Sequence, residues 1–336
     1  MKKNTMILAA MGLTAALCAG SVMSASAEEK KVYNIGICQL VQHDALDAAT
    51  KGFEDALIEL LGEDSVNFDE QNASGDSANC ATIINQFVAS EDDLILANAT
   101  ASLQAASAGT ADIPILGTCV TDYATALEID DWSGTTGKNI SGTSDLAPLS
   151  EQADMLHELF PDAKNVGLLY CSAEANSAYQ VDEIKKYLED LGYTCEYYSF
   201  ADSNDIASVV TSAVSENDVL YIPTDNTAAS NTEVINNIAL PAGIPIIAGE
   251  EGICEGCGVA TLSISYYDLG YKTGEMAYDI LVNGADVSTM EVAFAPQVTK
   301  EYAAERCEEL GIQVPDDYVA IGAQAEETET ETASES

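Results

Sequence analysis

Asn34-Ile35-Gly36-Ile37-Cys38 opens a strand, and the capped amphipathic stretch that follows it ends at Leu61-Gly62. The same pattern returns as Asn165-Val166-Gly167-Leu168-Leu169-Tyr170-Cys171, with a second amphipathic stretch ending at Leu191-Gly192. Each copy starts a run of alternating strands and helices, so the chain reads as two similar α/β lobes. Two such lobes enclose a cleft, and ligands of open α/β sheets bind outside the carboxyl ends of the strands.

Working outward from the first copy, 32–39 reads as a buried strand. Asp44 and Asp47 make an acidic helix start. Leu46, Ala49, Phe53, Leu57 and Leu60 then share one helical face that stops at Gly62. Strands at 66–70, 93–97 and 114–119, with helices at 77–88 and through Leu103, complete the doubly wound rhythm. The second lobe starts after Asn139-Ile140-Ser141-Gly142-Thr143, with strands near 165–170, 194–199, 218–222 and 244–248. A long helix at 267–282, an extended run at 291–297 and a short helix at 300–310 follow. The expected architecture is α/β: two doubly wound, Rossmann-like lobes with parallel sheets, joined by a multi-crossover hinge near 140–145, 262–266 and 292–298. The expected division gives 28–142 and 266–292 to the N-terminal lobe, and 143–265 and 293–324 to the C-terminal lobe.

The ends read differently. Lys2 and Lys3, the apolar run from Met6 to Leu17, and Ala25-Ser26-Ala27 form a secretory signal with cleavage expected before Glu28. Cys18 as a lipid-anchor cysteine is disfavoured, because bulky Leu17 precedes it and Ala15 stands where a leucine is expected. No later segment is apolar enough to span a bilayer. The protein is therefore expected outside the cytoplasm, at the extracellular face of the membrane or in a periplasm. Removing Lys2 and Lys3 leaves 10 of the 12 basic residues against 56 acidic ones, moving the net charge from −44 to −46. Such a chain repels nucleic acid and anionic lipid. Residues 325–336, with Glu326, Glu327, Glu329, Glu331 and Glu335 among small polar residues, read as a solvated tail.

Nine cysteines in an exported chain raise the question of a disulfide framework. Their spacing does not build one: only Cys254-Glu255-Gly256-Cys257 is a close pair. Unpaired, mostly buried thiols are expected, with a local bridge at that pair as the main exception. A metal site lacks ligands, since no second such pair exists and His43 and His157 are the only histidines.

A polar set follows the strands: Gln39 and His43, Asn98 and Thr100, Thr118 and Thr121, Asn176 and Ser177, Asp225 and Asn226, Glu250 and Glu251. In the expected fold these converge on the cleft, although many also suit helix caps. Asp225, in the polar burst after a buried strand, is the candidate partner of a ligand ammonium, with capping as its alternative role. Glu250 is a candidate second anionic wall. Arg306 is the only arginine and lies far along the chain, so a guanidinium clamp on a carboxylate or phosphate is not expected. Helix N-termini and hydroxyls such as Thr100, Thr121 and Ser177 would hold a ligand carboxylate instead. No Gly-rich phosphate loop and no hydrolase nucleophile motif is present, so neither a cofactor nor catalysis is expected.

Several of these segments also carry a resemblance. Ile35 to Asp47 (Ile-Gly-Ile-Cys-Gln-Leu-Val-Gln-His-Asp-Ala-Leu-Asp), Ile140 to Asp145 (Ile-Ser-Gly-Thr-Ser-Asp), Glu174-Ala-Asn-Ser177, Pro223-Thr-Asp-Asn-Thr227 and Tyr266-Tyr-Asp-Leu-Gly270 resemble the tryptophan/tyrosine-type substrate-binding proteins of ABC transporters. The match runs from about residue 33 to 312. The resemblance implies a periplasmic-binding fold of the three-crossover kind and delivery of an amino acid, aromatic in type, to a membrane permease. By motif it implies Gln39, Asn176, Ser177, Asp225 and Asn226 as ligand contacts. Cys38, Cys119 and Cys171 depart from the small or apolar residues expected there.

The expected function is thus that of an exported, monomeric solute receptor whose lobes close on an amino acid, with Tyr266 and Tyr267 as candidates to pack its side chain. The alternatives are a receptor for a sugar or nucleoside, and an extracellular sensor that feeds no transporter.

Overall fold

Parallel strands whose two faces are both covered by helices must be apolar nearly throughout. Leu94-Ile95-Leu96-Ala97-Asn98 and Val219-Leu220-Tyr221-Ile222 meet that demand, and both are wholly buried. The computed structural model describes residues 31–295 and 297–322. The expected signal segment, Cys18 and the tail at 325–336 lie outside the described residues. By its contacts the chain divides between Lys31 and Val32, and the elements below belong to the unit from Val32 onward.

The first lobe begins with β1 (Tyr33–Gln39), α1 (Asp44–Leu61), β2 (Val66–Asn72), α2 (Ser77–Ala89), β3 (Leu94–Asn98), α3 (Thr100–Gly109), β4 (Ile115–Thr118), α4 (Tyr123–Leu127) and β5 (Ile140–Ser144). The second is built from α5 (Leu149–Leu159), β6 (Asn165–Cys171), α6 (Ala175–Asp190), β7 (Thr194–Phe200), α7 (Ile206–Glu216) and β8 (Val219–Ile222). It continues through α8 (Asn226–Ala229), α9 (Thr232–Ala242), β9 (Ile246–Ala248), α10 (Glu251–Gly256) and β10 (Ala260–Ser263). The chain then returns to the first lobe with α11 (Tyr266–Leu281) and β11 (Ala293–Phe294). It ends in the second with β12 (Thr299–Tyr302), α12 (Ala304–Leu310) and β13 (Val319–Ala320).

The sheets run β2-β1-β3-β4-β5-β11 and β7-β6-β8-β9-β10-β12-β13. Every pair is parallel except β10 with β12. The fold is α/β with two doubly wound lobes, and the chain passes between them after β5, after β10 and after β11.

Two elements differ from the sequence reading. Residues 299–302 form β12 rather than the start of a helix, because Leu262 pairs with Lys300 and Ser263 with Thr299 along the edge of the second sheet. Sheet pairing overrides the helix preference of Lys300 and Glu301. Ile140 to Ser144 is a strand of the first sheet, although Ser, Gly and Thr give it little apolar signal. Gly142 is required there: at φ +145° an added Cβ would collide with the Gly117 carbonyl and the Tyr123 hydroxyl.

The long helices α1 and α11 cross closely. A Cβ on Gly270 would strike the Ala49 backbone, and one on Gly52 the Tyr267 carbonyl. Phe53 and Leu57 are buried beneath this seam, each contributing about 1.5–3 kcal/mol.

Candidate functional site

The carboxyl ends of β3, β4 and β5 meet those of β6, β8 and β9, and the loops that follow carry the polar set. Two backbones there are held in the left-handed region by residues other than glycine: Ala99 at φ +87° and Cys119 at φ +53°. Such conformations cost of order 1–3 kcal/mol and cluster at binding sites. They turn the chain sharply from β3 into α3 and from β4 toward α4.

At the carboxyl ends of its strands the first lobe leaves three buried side-chain oxygens without a hydrogen-bond partner: Asn98 Oδ1, Thr100 Oγ1 and Asp145 Oδ1. Thr100, the first residue of α3, is buried, and its hydroxyl has no hydrogen-bond partner. Asp145, just after β5, is 3% exposed, and its Oδ1 is likewise without a partner. Its other oxygen receives the Tyr266 hydroxyl at 3.5 Å, and the Thr121 hydroxyl also bonds to this carboxyl group. Burial pushes the Asp145 pKa up to about 6 against the pull of these donors. A buried unpaired polar atom costs about 1–3 kcal/mol, so three around the ends of β3 and β5 mark where a ligand's polar groups belong.

Glu250 faces Asp145 from the second lobe closely enough for each to act in the electrostatics of the site. It is the N-cap of α10, accepting from the backbone N–H of Gly252 at 2.7 Å and Ile253 at 2.5 Å. Burial still raises its pKa to about 7, and Glu251 and Asp145 add to the rise. No basic side chain figures among the groups acting on either acid. Burial, with Asp145 next, also raises the Cys119, Tyr123 and Tyr266 side chains.

Asp225 has both oxygens engaged within its own lobe. Oδ2 accepts from Cys171 N at 2.6 Å and Oδ1 from Ala228 N at 2.8 Å, with the Ser177 hydroxyl as a third donor. It caps α8, which is the alternative role the sequence left open. Burial first, then Glu174, lifts its pKa to about 7. Asn226 donates from Nδ2 to Glu174 Oε2 at 2.7 Å and pairs through Oδ1 with His43 Nε2 of the first lobe at 3.2 Å. Asn176 Nδ2 donates to the Thr224 carbonyl at 3.0 Å, and lies 3.3 Å from Ser177 Oγ.

Gln39, opposite Asn98 in the sheet, has its own side chain fully partnered. Its amide donates to Asp47 Oδ1 at 2.6 Å and to the Val41 carbonyl at 3.0 Å, and its oxygen accepts from Thr50 at 2.7 Å. The side chain is fully used in holding α1 on β1. Tyr267 points to the outer surface, where its hydroxyl donates to Asp55 Oδ2 at 3.0 Å. Tyr266 is buried beside Asp145 and also hydrogen-bonds Thr224, so it touches both lobes. Arg306 is committed elsewhere, donating to the carbonyls of Cys254, Glu255, Gly256 and Gly258.

Sequence reasoning passed over Asp145 and Glu174, although both end or open quoted motifs. For Asp145 the available signal was an acid placed directly after a strand, and for Glu174 an acid directly before a helix. The described cysteines, Cys254 and Cys257 included, are free and buried.

These features define a two-lobed binder with an acidic, unsatisfied centre. The ABC transporter substrate binding protein family matches residues 34–327, and the chain belongs to that family. It is 39% identical over 256 residues to the tyrosine-binding protein of Clostridioides difficile, covering 76% of this chain and 74% of that one. The structure of an ABC domain in complex with L-Trp from Streptococcus pneumonia superposes with a TM-score of 0.81 at 33% identity, over 85% of this chain and 97% of the other. The ligand-free, open structure of the Clostridium difficile substrate binding protein CD0873 is 38% identical over 86% and 99%, yet its TM-score is 0.66. More distant solute-binding proteins, such as a leucine binding protein from Thermotoga maritima at 14% identity and TM-score 0.60, share the type I periplasmic-binding-protein-like fold.

Proposed function

We propose that this protein is the extracytoplasmic receptor of an ABC importer, that it closes its lobes on an aromatic amino acid, and that Asp145 receives the ligand's ammonium group. The observation that carries the reading is the unpartnered Asp145 oxygen, buried opposite Glu250 without a cation. An ammonium placed there gains charge-assisted hydrogen bonds and offsets two buried negative charges. The Thr100 hydroxyl and the N-terminal N–H groups of α3 suit the ligand carboxylate, as a helix start favours an anion. Thr121 and Tyr266 orient Asp145, while Asn176, Ser177, Asp225 and Asn226 form the wall of the second lobe.

Two relatives support the aromatic choice, one named tyrosine-binding and one solved with L-Trp. Closure is supported by the lower TM-score to the open relative despite its higher identity, and by the His43 to Asn226 bond between lobes. We divide the lobes at the three passages and assign the closed form to recognition by a membrane permease. Titration calorimetry with L-tyrosine, L-tryptophan and L-phenylalanine tests the reading, with dissociation constants of about 1 μM or tighter expected. Comparable binding of a sugar or nucleoside, with none of the amino acids bound, would overturn it.

A further inference from the structure

We propose that the cleft has a side compartment that takes a flat ring carrying a hydrogen-bond donor, and that Asp202 accepts from that donor. The proposal rests on the amino-acid reading above and adds to it the residues that choose among side chains. A cavity of about 260 Å³ lies between the lobes. Leu40, Val41 and Ala101 line it from the first lobe, and Cys171, Ala173 and Ala201 from the second. Its walls reach the neighbours of the polar set: Ala101 directly follows Thr100, Cys171 bonds through its amide to Asp225, and Asn226 lines the cavity itself.

Size and charge then narrow the occupant. About 150 Å³ accommodates benzene, so this volume has room for a phenol or an indole, and Ser74, Ser77, Ser203, Ser230 and Asn231 add polar groups to its wall. Among the described residues, the charged side chains on its wall are Glu174 and Asp202. Glu174 is spent, since its Oε1 accepts from the Thr227 amide at 2.8 Å and hydroxyl at 2.7 Å, and its Oε2 from Asn226. Asp202 uses Oδ1 on Asn204, at 2.8 and 2.9 Å, and its second oxygen is the acceptor we assign to the ring. A carboxylate acceptor at that position rewards an O–H or N–H, gives nothing to a bare phenyl ring and repels a carboxylate.

The test is calorimetry on the full chain with L-tyrosine, L-tryptophan, L-phenylalanine and L-glutamate, comparing native protein with Asp202→Ala, Ala101→Phe and Asp145→Asn, each checked for folding by circular dichroism. The native protein should bind tyrosine at least about fivefold more tightly than phenylalanine and show no binding of glutamate. Asp202→Ala, on an exposed turn, should bring the tyrosine to phenylalanine ratio close to one by weakening tyrosine alone. Ala101→Phe should weaken all three aromatic ligands by about tenfold or more. An unchanged ratio in Asp202→Ala overturns the assignment of Asp202, and unchanged affinities in folded Ala101→Phe overturn the compartment. If these two variants bind normally while Asp145→Asn does not, the amino-acid reading stands and the side compartment falls. If native protein binds no aromatic amino acid, the reading itself has failed.

Discussion

His43 Nε2 and Asn226 Oδ1 are 3.2 Å apart, joining the residue that precedes α1 in one lobe to the first residue of α8 in the other. Asn226 has already given its amide to Glu174, so its oxygen must accept and His43 must carry the proton on Nε2. If the lobes close as proposed, this bond forms on closure, and one net hydrogen bond is worth about 1 kcal/mol. His43→Ala is therefore expected to raise the ligand Kd by about threefold to tenfold, mainly through faster dissociation. Stopped-flow release of bound ligand checks this.

The same bond predicts an acid-sensitive affinity. Burial lowers the His43 pKa in this structure, although Asn226, Glu174, Asp47 and Asp44 oppose the shift. In an opened cleft the imidazole titrates near its ordinary value of about 6.5. The closed form thus binds fewer protons, and this contribution to closure is complete above about pH 6.5 and lost as the pH falls below it. His43→Ala should flatten the fall in affinity between about pH 7.5 and 5.5; an equal slope in both proteins would show that the histidine is not its source.

Asp145 and Asp225 should part company on mutation. Asp145→Asn removes the ammonium's counter-charge and is expected to cost about 2–5 kcal/mol of ligand affinity. It also removes a buried unpaired charge, so the unliganded protein should melt no lower than the native one. Asp225→Ala strips acceptors from two amides and a hydroxyl, which should lower unfolding stability by about 1–3 kcal/mol. The pair of measurements is binding calorimetry and thermal melting, and the reversed pattern would return the ammonium to Asp225.

Buried acids also set how the unliganded protein responds to pH. Asp145 at about 6, with Asp225, Glu250 and Glu301 each at about 7, all lie above the values they have in an unfolded chain. Their folded forms hold protons more tightly, so the stability they contribute is complete below about pH 4 and is lost as the pH rises through about 6 to 7. Melting temperature without ligand should therefore be higher near pH 5 than near pH 8. Asp145→Asn should reduce that difference.

Arg306 is expected to matter for stability and little for binding. Its guanidinium donates to four backbone carbonyls around the end of α10 and to Asn236 Oδ1 at 3.0 Å. A lysine has no fork to cover them. Arg306→Lys should lower stability by about 1–3 kcal/mol, read by urea unfolding, with ligand Kd changed less than about threefold.

The alternating order was legible because buried parallel strands and amphipathic helices impose different periods, as in 94–98 and 44–61. Residues 140–144 were not, since a strand of Ser, Gly and Thr has no apolar signature and is held by a close backbone approach at Gly142. Residues 299–302 misled because their pairing partner lies more than thirty positions earlier. At the site, the residue types after each strand were legible, but which groups remain unsatisfied was not. Asp225 and Asp145 both follow strands, and only three-dimensional hydrogen bonding separates a spent carboxylate from an available one.

The seam between α1 and α11 fixes an order of assembly. The first helix is shaped, at Ala49, Gly52 and Ala56, to receive glycines at 270 and 274 that are synthesised only after the whole of 149–263. Until then the part of α1 at Ala49, Gly52 and Ala56 lacks its partner, although Phe53 can already pack on Phe68, and β5 has no β11 beside it. The N-terminal lobe must consequently wait, incomplete, while the lobe encoded in the middle of the chain can condense first. A chain that emerges from a membrane with its amino end leading would then finish its folding at the end that emerged earliest.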